Sequence, residues 1–296
     1  MQTPAETEST SPEPTTEAGP TRGRTRGWLR VLAIVGPIIG LLVALLIPSA
    51  LSALLLPAED AQTAPGEVVG YIVVLSVIVA LLAVVCAALL LRVHGLRLRD
   101  AGLRWTRASG PSLLLGVGLA TAVVLAVGLP LTHLGLLRPA EDLGLPWWAI
   151  LVAGVARAAV LQGFPEELLF RGYQMTALRT RPIVAVFVSA AVFAVLHLVS
   201  NGGQQSTLER FAYLALPFGF AVAAAALMIL TGSLWAAVGV HTGLHIGFML
   251  GVFVGLGDGP LFWLIGGAVY TVLGLILLAV ARRRGLLTGV WTGPTR

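Results

Sequence analysis

Residues 163–172 read GFPEELLFRG, and the chain on either side is apolar for more than a helical turn. Two adjacent carboxylates, Glu166 and Glu167, and a guanidinium, Arg171, therefore sit where a hydrocarbon environment is expected. A charged side chain at the centre of a membrane helix costs about 2.5–3.5 kcal/mol on insertion scales, so such residues face a protein interior or water and usually serve a purpose. Glu167 and Arg171 are four apart and can pair along one helix face. Glu166 is rotated by about 100° from Glu167 and can point toward the bundle centre. Pro165 lacks an N–H and loosens the helix in front of the pair. Gly163 and Gly172 admit close neighbours.

The rest of the chain fits a membrane setting. Of its 296 residues 57% are hydrophobic and 11% charged, against about 25% charged in soluble domains. An all-α fold follows, a polytopic bundle of transmembrane helices. All 19 basic residues are arginine, and they cluster in short connections between apolar runs, so the net charge of +5 reflects membrane topology and not nucleic acid. The single cysteine, Cys86, lies in an apolar run and has no partner for an internal disulfide. Residues 1–21 are rich in Pro, Thr, Ser and Glu and read as a disordered tail, which with the Arg22, Arg24, Arg26, Arg30 cluster forms a first region, 1–30. N-terminal spans follow over 31–146, a polar-bearing core over 147–250, and a last span with a basic tail over 251–296.

Eight spans are expected, near 31–56, 69–91, 112–131, 147–170, 182–200, 211–231, 233–255 and 261–281. Arginine falls in every second connection: Arg92, Arg97, Arg99, Arg104 and Arg107, then Arg179 and Arg181, then Arg282, Arg283 and Arg284. Both termini are thus expected in the cytoplasm, in a bacterial plasma membrane. Trp147, Trp148 and Trp263 open spans as interfacial anchors do. There is no internal repeat, Gly-rich phosphate loop or soluble domain.

Beyond the opening stretch, the spans carry His197, His241 and His245, with Arg157 left outside the candidate set. At 1.5 Å per residue, Glu166 lies roughly 20 Å from Arg179, His197 roughly 22 Å from Pro182, and His241 and His245 roughly 13 and 20 Å from Gly232. Three helices so bring polar groups to a similar depth, which suggests one site, expected on the cytoplasmic side of the bundle. His241 and His245 are four apart and share a face. Phe193, one turn before His197, is expected to wall the pocket. A carboxylate with histidines activates water in two ways. The four residues Glu166, His197, His241 and His245 are candidate ligands for Zn2+, which would lower the pKa of bound water. Alternatively, a buried glutamate is the general base and histidines stabilise the oxyanion. Either route gives peptide hydrolysis inside the membrane. Two further classes stay open: a non-catalytic immunity or scaffold protein, and a proton-coupled transporter, which would carry inverted repeats and broken helices.

The ordered triple EELLFR at 166–171, FAVLH at 193–197 and HTGLH at 241–245 resembles the CPBP family of CAAX proteases and bacteriocin-processing or bacteriocin-immunity membrane proteins, also called Abi. The resemblance covers about residues 147–250. It implies an intramembrane endopeptidase related to the type II CAAX prenyl protease, acting on a membrane-associated, in some cases prenylated, protein or peptide. It assigns water activation to Glu166, completion of the site to His197 and His241, and support to Glu167 and Arg171. His245 departs from the pattern, which commonly has Asn there; histidine keeps one N–H donor for an oxyanion.

Overall fold

The computed structural model describes residues 21–55, 64–139, 144–200 and 202–287. Eight helices long and apolar enough to cross a membrane form one bundle, and no β-sheet occurs among the described residues. We label them α1 (Thr21–Leu55), α2 (Pro65–Val93), α3 (Ser109–His133), α4 (Trp147–Ala177), α5 (Pro182–Val199), α6 (Thr207–Thr231), α7 (Leu234–Val252) and α8 (Pro260–Arg283). Helices are the outcome that apolar runs of this length dictate, because lipid offers no partner for a backbone N–H or C=O. α1 begins at Thr21, well before the expected boundary at residue 30, so the N-terminal arginines are drawn into a helix; residues 1–20 of the expected tail lie outside the described residues. The acidic positions Glu59, Asp60, Glu141 and Asp142 lie outside them as well.

α6 and α7 form the interior, with 72% and 61% of their apolar windows buried, while α2 and α3 turn leucines such as Leu81 and Leu114 outward. Close approach of backbones builds this centre. Along α7, Gly239, Gly243 and Gly247 recur every four residues and meet α3, where a Cβ would strike Leu113, Val117 and Val124. Thr121 of α3 donates to the Gly243 carbonyl at 2.9 Å. Gly219 of α6 and Gly267 of α8 seat the other central pair. Small residues let helices reach van der Waals contact where lipid gives no hydrophobic driving force.

The ends of the bundle are distinct. At one end the connections 134–146, 200–206 and 253–259 are tied together: Arg138 and Asp258 exchange backbone hydrogen bonds of 2.9 Å, and the Arg138 guanidinium reaches Glu209 at 3.0 Å and the Gly203 carbonyl at 3.1 Å. At the other end, Trp235 Nε1 donates to the Arg104 carbonyl at 2.8 Å, Thr176 donates to the Asp100 carbonyl at 3.3 Å, and Gly172 makes room for the Ala101 carbonyl. The arginine-bearing connections Arg92–Arg107 and Arg179–Arg181 belong to this second end.

Candidate active site

α4 is the unusual helix. Its ladder is π-wound over Ala156–Gly163 and again over Leu168–Gln174, with one α turn, Phe164–Glu167, between. Phe164 N–H reaches back to the Ala159 carbonyl and Met175 N–H to the Phe170 carbonyl. Pro165 brings no N–H, so the ladder must change register near it, and such π segments gather at functional sites. The α turn keeps Glu166 and Glu167 on different faces, as expected from the sequence.

A chamber of about 280 Å³ opens beside that turn, lined by Glu166, His197, His241 and His245. Glu167 and Arg171 are behind its wall and fully buried. Arg171 Nη1 stands 3.1 Å from Glu167 Oε1, yet none of the guanidinium nitrogens is aligned for a hydrogen bond. The pair is thus held by charge, and the guanidinium also rests 4.7 Å from the centre of the Phe193 ring. The same Glu167 oxygen lies 3.0 Å from His241 Nδ1. An ionised carboxylate only accepts, so Nδ1–H of His241 donates and Nε2 is turned toward the chamber. That Nε2 lies 3.9 Å from Glu166 Oε2 and 3.2 Å from His245 Nε2. His197 Nδ1 donates to the Phe193 carbonyl at 2.8 Å, which leaves its Nε2 as an acceptor in the neutral ring.

The chamber brings together all four residues expected at the site. Phe193 corrects its expected place: it is buried behind the site, in ring contact with His197, His241 and Phe220, and Phe220 is among the aromatics that line the chamber. Among the described residues no three His, Cys, Asp or Glu side chains are arranged to hold a metal ion. Nδ1 of His197 faces the Phe193 carbonyl and Nδ1 of His241 faces Glu167, which leaves the Nε2 atom of each ring toward the chamber. Sequence reasoning did not place Tyr213, Asp258 or Trp263 at the site, and all three line the chamber. Asp258 accepts from Trp263 Nε1 at 2.7 Å, and burial pushes its carboxyl up to about 6 against the opposing pull of the Gly259 N–H, Trp263 and Arg138. Arg157, set aside in the sequence, lines the chamber too.

Residues 145–247, which span α4, α5, α6 and most of α7, match a family model described as type II CAAX prenyl endopeptidase Rce1-like. The match covers about a third of the chain. No curated protein and no solved structure matches the chain. All three polar motifs of the chamber fall inside the Rce1-like segment, whose likeness is to CAAX-type intramembrane proteases in general. The first three helices and α8 frame the Rce1-like segment from outside it: α3 seats the glycine face of α7, and α8 seats α6.

Proposed function

We propose that the Rce1-like segment hydrolyses a peptide bond in a membrane-associated protein or peptide, with Glu166 as general base. The observation that carries this reading is the separation of the two glutamates: Glu167 is walled off with Arg171, while Glu166 lines the chamber with three histidines. In the first step Glu166 takes a proton from a water, and the water oxygen adds to the substrate carbonyl. The His197 Nε2 lone pair accepts from that water and orients it. His245 Nε2–H donates to the His241 Nε2 lone pair in the resting site, and it is redirected to the developing oxyanion when the substrate carbonyl takes the place of that contact. In the second step Glu166 returns its proton to the leaving amine as the tetrahedral intermediate collapses. Glu167, Arg171 and Phe193 hold His241 in the tautomer and orientation this requires. The lipid bilayer is the medium for both partners, and no step involves nucleic acid.

The test is cleavage of membrane-tethered reporter peptides, with and without a prenyl group, by purified protein in liposomes. Cleavage is expected for the wild type, with or without a zinc chelator, and is expected to be lost in Glu166→Gln and His241→Ala. Loss with chelator and recovery with zinc would replace the general base by a metal site. Equal cleavage by the variants would overturn the residue assignment.

A further inference from the structure

We infer that Arg157 and Gln162 form a second polar subsite of the chamber, which holds a carboxylate of a bound peptide together with a peptide N–H. The inference rests on the peptidase reading only in calling that peptide a substrate. The subsite itself stands on three observations outside the catalytic set.

The first is winding. Arg157 stands nine residues before Glu166, and nine residues of plain α-helix would put the two on opposite faces, about 180° apart. Arg157 and Gln162 instead lie in the π-wound stretch Ala156–Gly163, where hydrogen bonds span five residues and bring positions five apart over one another. Gln162 and Glu166 are then four apart, the ordinary spacing for one helix face. Arg157, Gln162 and Glu166 therefore run along one side of α4, and all three line the chamber. The π winding thus gives Arg157 a place at the site that its position in the sequence denies it.

The second is an unmatched charge. Arg171 of the same helix is paired with Glu167, but Arg157 makes no ion pair and no hydrogen bond among the described residues, and it stays accessible. The other carboxyls of the chamber are turned elsewhere, Glu166 toward His241 and Asp258 toward Trp263 Nε1. Arg157 is ten residues into α4, roughly 15 Å from its start, and a guanidinium within a span is costly unless an anion or water meets it. The third is an orphan. Gln162 Oε1 is buried with no hydrogen-bond partner, although a buried amide oxygen normally accepts an N–H. A guanidinium fork fits a carboxylate in paired hydrogen bonds. A simple anion would answer Arg157 and leave Gln162 Oε1 as it is. A peptide that carries a carboxylate answers both, through its chain terminus or through an acidic side chain.

The experiment measures peptide binding to the full chain in detergent by fluorescence anisotropy, so it needs no turnover. Three dansyl-labelled peptides built on Gly-Ala-Val-Leu are compared: the free acid, the C-terminal carboxamide, and a carboxamide with Glu in place of Ala. The wild type is expected to bind a carboxylate-bearing peptide about 10–100-fold more tightly than the plain carboxamide, as one hydrogen bond to a charged group allows. Preference for the free acid assigns the carboxylate to the chain terminus, and preference for the Glu-bearing carboxamide assigns it to a side chain. Arg157→Gln is expected to lose the preference, and Arg157→Lys, which keeps the charge without the fork, to retain part of it. Gln162→Leu is expected to weaken all three peptides by a common factor of a few-fold, because each brings the same backbone N–H groups. A wild type that binds the three peptides alike, or binds none of them, overturns the inference whether or not the variants fold. An Arg157→Gln that keeps the full preference overturns it as well. If the carboxylate preference holds and the membrane-tethered reporters stay uncut, the peptidase reading has failed and the subsite has not.

Discussion

Glu166 and Glu167 are adjacent in the chain and differ in everything that matters to a carboxylate. Glu167 shares a dry pocket with Arg171 and His241; Glu166 has a chamber in front of it. Replacing Glu166 by Gln keeps shape and hydrogen-bonding capacity but removes the base, and cleavage of a tethered reporter should fall by about 10²–10⁴-fold with the unfolding temperature in detergent unchanged. Glu167→Gln should act on stability, because it leaves the Arg171 charge buried without its counter-charge; breaking such a pair costs about 3–5 kcal/mol. Coupling Glu167→Gln to Arg171→Met should recover most of that loss, since a buried pair is often replaceable by apolar side chains of similar size. A double variant as unstable as the single one would show that the pair is not what Glu167 is for.

At the scale of elements, the α7 sequence Gly239-Val-His241-Thr-Gly243-Leu-His245-Ile-Gly247 alternates two jobs. The glycines, four apart, pack on α3, and the histidines, offset by two residues, are rotated about 200° from them and point at α4. Packing on one face therefore aims the imidazoles on the other. A methyl group at Gly239 would strike the Leu113 carbonyl, while one at Gly118 of α3 would meet open space. Gly239→Ala should thus destabilise by about 1–3 kcal/mol, as overpacking does. Gly118→Ala should be close to neutral, with thermal unfolding in detergent as the measure. Equal effects at the two positions would refute the close α3–α7 seam.

Across the whole molecule, Arg138 clasps three connections at one end of the bundle, beside the buried carboxyl of Asp258. Its carboxyl rises from the usual 3.8 to about 6 in the folded chain, so folding favours the protonated form. Its contribution to stability is fullest below about 4 and is lost as pH rises through about 6. Asp258→Asn, which keeps an oxygen for Trp263, should therefore gain on the wild type as pH is raised from 4 to 7. Denaturation midpoints compared across that range would check it, and a constant difference would contradict it.

The sequence by itself determined the fold class, the number of helices and the residues that gather at the site. Length and hydropathy force membrane helices, and the cost of charge in lipid makes Glu166, Glu167, Arg171 and the three span histidines stand out. It even separated the two glutamates, because one helical step fixes their angular offset. Tertiary structure alone decided the rest. The role of Phe193 as a buried hub and the meeting of His241 with Glu167 and His245 at the chamber depend on distances between helices that no spacing within one helix encodes. Asp258, Tyr213 and Trp263 came to the chamber from a connection and from the ends of α6 and α8, where hydropathy marks nothing. Counting along a helix measures distance from its own end, and only the packed bundle sets the residues of one helix against those of another.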